Sequence, residues 1–179
     1  MASREIITKA VVAKGRKRSV TNHLIRPSRP PCSVLGCWII NHQFKANKSG
    51  SNVEIVGQYD VNVWYSCDDN TKTDVVLEKV SYKDVVPLKY RGQRPLEDKD
   101  VIVKVLQQPN CIEADLARDG ERILVKAERD LMVELIGETR VTVILGDGED
   151  LEEEDWELDI DDSELEEINP DFLGEQEEE

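Results

Sequence analysis

VEIVGQYDVNVWY, residues 53–65, decides the fold. Val53, Ile55, Tyr59, Val61, Val63 and Tyr65 fall on one parity, while Glu54, Gln58, Asp60 and Asn62 fall on the other. A period of two is the pleat of a half-buried strand, since successive side chains leave opposite faces. Gly57 interrupts the apolar face and predicts a bulge or a sharp bend. Working outward, strand-like stretches are predicted from Leu35 onward, then at residues 73–86, 101–107, 111–117, 123–135 and 141–145. Turn signals separate them: KSGSN (48–52), CDDNTK (67–72), YRGQRP (90–95), QPN (108–110) and the Asp119–Gly120 pair, the strongest hairpin signal in the chain. Seven to nine strands at this spacing predict a mainly β protein, an antiparallel β-sandwich or barrel-like core.

Composition supports sheet and splits the chain in two. Among the first 146 residues Val and Ile number 31 against 18 Ala and Leu, a β-branched excess that disfavours helix. From Asp147 to Glu179 there are 19 Asp or Glu and no Lys or Arg, so the net charge of −15 is the sum of +4 before that point and −19 after it. Residues 1–34 form a basic N-terminal segment, predicted to supply a first strand and a loop. Its first 30 residues carry eight basic groups against one acid. Ile6, Ile7, Val11 and Val12 are its apolar anchors, and residues 14–19 read as an exposed glycine-containing loop. RPSRPPCS (26–33) halts any regular element, because proline fixes its own φ and extends its predecessor. Residues 35–146 are the β-rich core, folding with parts of 1–34, and residues 147–179 are an acidic tail whose self-repulsion predicts disorder. Within that tail Trp156, Leu158, Ile160, Leu165, Ile168, Phe172 and Leu173 interleave with the acids. Such spacing suits a segment that folds on a partner better than one that only solubilises.

The residues offer no catalytic constellation. His23 and His42 are the two histidines, and neither lies in a nucleophile motif. Cys32, Cys37 and His42 lack the tight paired spacing of a structural zinc site and an evident fourth ligand. AKGRK (13–17) is not a phosphate loop, and Asp147, Glu149 and Asp150 do not follow the calcium-loop spacing. The expectation is therefore no metal and no cofactor. The basic start could attract nucleic acid, but the polyacidic end of the same chain competes for it and repels phosphate, so no nucleic-acid partner is expected. The longest apolar run, residues 34–40, falls far short of the roughly 20 residues that span a bilayer, and no direct membrane insertion is expected. Four scattered cysteines and a charged start point to synthesis in a cytoplasm with reduced thiols. Cys37, inside an apolar run, is expected to be buried. Cys67, beside the polar Asp68 and Asp69, is expected to face solvent and is the candidate thiol for cross-linking.

Longer strings carry a resemblance. REIITKAVVAKGRK (4–17), GCWIINHQF (36–44), VGQYDVNVWYSCDDNTKT (56–73), KVLQQPNC (104–111), AERDLMVELIGETRV (127–141) and EINPDFL (167–173) together resemble the CotE family of outer spore-coat morphogenetic proteins from endospore-forming bacteria. The resemblance implies a non-enzymatic scaffold. It would be made in the mother-cell cytoplasm, form homo-oligomers around the developing spore, and end in the outer coat. Other spore-coat proteins would be its partners, with self-assembly toward the N-terminal part and recruitment toward the acidic C-terminal part. Ile6, Ile7, Val11 and Val12 are then candidate oligomerisation residues, and the seven tail anchors are candidate contacts to coat proteins. An acidic-tailed β-sandwich chaperone for basic proteins is the alternative that composition alone leaves standing.

Overall fold

The computed structural model describes residues 3–92 and 97–146, with the side chains of 97–99 left aside. Every regular element in it is a strand: β1 (Ser3–Ile25), β2 (Ser33–Ser49), β3 (Asn52–Cys67), β4 (Lys72–Pro87), β5 (Lys89–Tyr90), β6 (Glu97–Leu116) and β7 (Ile123–Ile144). They form two antiparallel sheets, one ordered β5-β1-β7-β6 and one ordered β2-β3-β4. Contacts divide the chain into a large unit, Glu5–Thr142, and a second comprising Met1–Arg4 with Val143–Glu179. The account below concerns the large unit. The predicted antiparallel sandwich or barrel-like sheet is what the chain adopts.

The core follows from parity. Val53, Ile55, Tyr59, Val61, Val63, Tyr65 and Cys67 on β3 are buried, and Ile123, Val125, Ala127, Leu131, Val133 and Leu135 on β7 join them in one apolar cluster. β3 is the central strand of its sheet and β7 an inner strand of the other, so both have ladder partners on either side. Removing so many Val, Ile and Leu side chains from water is the main stabilising term, about 1.5–3 kcal/mol for each one fully buried.

Several local expectations are corrected by non-local partners. Residues 14–19 are strand, not loop, because Lys14, Arg16 and Arg18 on β1 pair with Glu134, Asp130 and Glu128 on β7. QPN at 108–110 does not end a strand. β6 passes through it with a register shift between Gln107 and Asn110, and Pro109 is tolerated because β6 is a sheet edge at a bulge. Gly57 is not a bulge either: its register with Tyr82 is regular, and a Cβ at 57 would collide with the Tyr82 ring. The irregularities of that sheet lie on β2, between Val34 and Gly36 and between Ile40 and Gln43, where Asn41 adopts φ 56°. The Asp119–Gly120 hairpin is present as predicted. Leu116 pairs with Ile123, Gly120 has φ 71°, and Asp119 Oδ1 accepts from the backbone N–H of Glu121 and of Arg122.

Candidate interaction surfaces

The sheet β2-β3-β4 turns an apolar face outward. Register puts Gly36, Trp64 and Val75 in one row, Trp38, Asn62 and Leu77 in the next, and Ile40, Asp60 and Lys79 in a third. Paired residues of neighbouring strands share a face, so these rows form one patch. Trp38 and Leu77 are 55% and 59% exposed, and Ile40, Trp64 and Val75 are exposed beside them. The six-membered ring of Trp38 folds back across Gly36, a position where a Cβ would come within 2.8 Å of it. The Trp38 ring therefore lies over Gly36, the residue paired with Trp64 in the β2–β3 ladder. Asn41 Nδ2 donates to Asp60 Oδ2 at 2.8 Å, and Lys79 Nζ lies 3.8 Å from Asp60 Oδ1, giving the patch a polar rim. Beyond the Asn41 bulge a groove of about 400 Å³ continues the face, lined by Gln43, Phe44, Lys45, Val56, Gln58 and Ser81 among others. Contiguous exposed aromatic and aliphatic side chains inside a polar border are the usual composition of a protein–protein contact.

The opposite outer face is built of charge. Lys14 and Lys104 flank Glu134 at 3.5 and 3.0 Å, Arg16 grips Asp130 through Nε and Nη2, and Arg18 Nε donates to Glu128. Hydrogen bonding from Lys104, Arg16 and Arg18 respectively holds the Glu134, Asp130 and Glu128 carboxyls below their usual range. Arg26 pairs with Glu121, Arg29 with Asp68, and Lys17 reaches Asp84 at 4.0 Å. Much of the basic start is thus neutralised within the same chain.

Between the sheets lies a polar cluster that the sequence does not announce. Arg129 and Asp84 are each 3% exposed and meet through two hydrogen bonds of 2.7 and 2.8 Å. Arg129 also donates to Thr21 Oγ1 at 2.9 Å, and its guanidinium carbon sits 3.8 Å from the centroid of the Tyr82 ring. His42 Nε2 is 2.7 Å from the Tyr82 hydroxyl and its Nδ1 is 2.9 Å from Gln108 Oε1, while His23 Nε2 is 2.7 Å from the Tyr59 hydroxyl. Burial lowers both histidine pKa values, aided by the Arg129 charge, and burial raises Tyr59 and lifts Tyr82 to about 12. Nearly every donor and acceptor here is answered by another strand, which is the arrangement of a structural lock. Among the described residues no group of three His, Cys, Asp or Glu could hold a metal ion.

The sequence-derived candidates scatter over this framework. Ile6, Ile7 and Val11 are exposed on β1, whereas Val12, grouped with them, is 6% exposed and belongs to the core. Cys67 is not solvent-facing as expected: it closes the inner face of β3 at 1% exposure while the turn after it carries the acids outward. Cys37 is only half-buried. Trp156, Leu158, Ile160, Leu165, Ile168, Phe172 and Leu173 lie outside the described residues, as does the predicted disorder of the tail. The Trp38–Trp64 patch is absent from those candidates, yet the alternation carries a signal for it: Trp64 shares the parity of Glu54, Asp60 and Asn62.

Apolar side chains are thus turned outward on the β2-β3-β4 sheet, and polar ones are locked between the two sheets. The chain belongs to the family of outer spore coat protein E (CotE), which it matches over residues 2–175. That is a family of structural spore-coat proteins, not a known enzyme family. No curated protein and no solved structure matches it.

Proposed function

We propose that this outer spore coat protein is a morphogenetic scaffold, synthesised in the mother-cell cytoplasm, that self-assembles around the developing spore and recruits other outer-coat proteins. The observation that carries the reading is the exposed face of Trp38, Ile40, Trp64, Val75 and Leu77. Self-association through that face removes these side chains from water, and Ile6, Ile7 and Val11 on β1 offer a second apolar contact. Recruitment is assigned to the acidic tail through Trp156, Leu158, Ile160, Leu165, Ile168, Phe172 and Leu173. A tail of 33 residues can span roughly 30 Å as a random chain and about 110 Å when stretched, and many copies on one shell would raise avidity.

Sedimentation of purified protein and capture of outer-coat proteins from sporulating-cell extract separate the two parts. Trp38→Glu with Leu77→Glu is expected to reduce the assembly to small species with the circular dichroism of the folded chain. Truncation after Leu145 is expected to leave assembly intact and abolish capture. Unchanged assembly in the double variant would overturn the role of the face, and capture by the truncated chain would overturn that of the tail.

A further inference from the structure

β2 is an edge of one sheet and β6 an edge of the other; the two strands lie side by side, and among the described residues no backbone ladder joins them. Side chains meet across this seam. His42 Nδ1 on β2 lies 2.9 Å from Gln108 Oε1 on β6, and Cys37 on β2 and Cys111 on β6 both pack, partly buried, against the same apolar cluster. β2, β3 and β4 alternate in direction, β1 runs against both β4 and β7, and β6 runs against β7, so β2 and β6 are antiparallel. From the His42–Gln108 pair, stepping back along β2 past its bulge and forward along β6 brings Cys37 and Cys111 to the same level of the seam. Both cysteines are half-buried, hence within reach of a small solute, whereas Cys67 is sealed in the core. Cys111 Sγ also lies 3.4 Å from the Glu113 carbonyl oxygen, which keeps its side chain along β6 beside Cys37.

We propose that Cys37 and Cys111 form an oxidation site at which a small peroxide converts the two thiols to an intrachain disulfide, stapling β2 of one sheet to β6 of the other. The first step falls to Cys111, because burial and then the Cys111 sulfur itself push the Cys37 pKa up and hold that thiol protonated. The Cys111 sulfur attacks one peroxide oxygen, the O–O bond breaks, and a sulfenic acid and one water result. The Cys37 sulfur then attacks the Cys111 sulfur; the S–O bond breaks, and the departing hydroxide leaves as water with the Cys37 proton. Two thiols and one hydrogen peroxide thus yield one disulfide and two waters. A bond between residues 37 and 111 closes a long loop of the unfolded chain, so the oxidised protein should melt higher by on the order of 10 °C.

The test uses the full chain, reduced, then treated with one equivalent of hydrogen peroxide and digested without reduction for mass spectrometry. Equal amounts of unlabelled and ¹⁵N-labelled protein are mixed beforehand. The expected product is a Cys37–Cys111 peptide pair whose halves carry the same isotope, with a rise in Tm that dithiothreitol reverses. Cys32→Ser should keep both signals, and Cys37→Ser and Cys111→Ser should each lose both. Pairs of mixed isotope, oxidation confined to other cysteines, or the same rise in Tm in Cys111→Ser would overturn the assignment. Mass analysis of the wild-type chain decides the matter even if a serine variant folds poorly.

Discussion

Gly57 is where the inner face of β3 lacks a side chain, and the Tyr82 ring occupies the space. A Cβ at 57 would overlap that ring, which is also sandwiched against Arg129 and bonded through its hydroxyl to His42. Glycine in mid-strand normally weakens a sheet; here the cost is offset by an aromatic ring laid over the bare backbone. Displacing the ring disturbs three contacts at once. Gly57→Ala is therefore expected to destabilise the fold by about 1–3 kcal/mol, the ordinary range for overpacking, read as a lower urea midpoint. Placed in a Tyr82→Ala background, the same substitution should be close to neutral. An equal cost in both backgrounds would mean that the glycine serves the backbone and not the ring.

At the scale of the element, the β3–β4 hairpin shows what a sequence does and does not disclose. Its strands pair without a slip from Asn52↔Pro87 to Cys67↔Lys72, and the alternation of residues 53–65 announces both faces. The turn was legible from CDDNTK, but not that Asp68, Asp69 and Asn70 would all take left-handed φ, at 50°, 52° and 60°. Asp and Asn tolerate that region better than other non-glycine residues, yet a Cβ there still costs energy. Asp69→Gly should raise stability by about 0.5–1 kcal/mol, measured by thermal or urea unfolding; a loss would show that the Asp69 side chain holds the turn. The misread segments share one cause. Lys14, Arg16 and Arg18 look like loop until Glu134, Asp130 and Glu128, more than a hundred residues away, neutralise them. Gly57 looks like a bulge until Tyr82 arrives from the next strand, and Pro109 looks like a terminator until β6 proves to be an edge. The Cys37–Cys111 contact depends on two sheets meeting, and no local pattern reports that. Strand parity is local and readable; what a residue meets across a sheet or between sheets is not.

For the whole large unit, the lock between the sheets makes stability depend on pH. β1, β2, β3, β4, β6 and β7 all contribute to it, through His23, His42, Tyr59, Tyr82, Asp84, Gln108, Thr21 and Arg129. The buried guanidinium of Arg129 stands close to both imidazoles, and burial together with that charge lowers both folded pKa values below 6.5. The unfolded chain, with ordinary histidines, then binds more protons than the folded one as pH falls past 6.5, so protonation favours unfolding. The histidine contribution is complete above about 6.5 and is lost as pH drops through the folded values. A second loss follows in stronger acid, since Glu128, Asp130 and Glu134 have depressed folded pKa values and their contribution is present above about 4.5. The urea midpoint should accordingly fall between pH 7.5 and 5.5. His23→Gln with His42→Gln, which retains a hydrogen-bonding group at each place, should flatten that interval while leaving the steeper loss below about pH 4.5. If the wild-type midpoint is level from pH 7.5 to 5.5, the imidazoles are not held neutral by their surroundings, and the cohesion of the two sheets must rest on the apolar cluster and the Arg129–Asp84 pair alone.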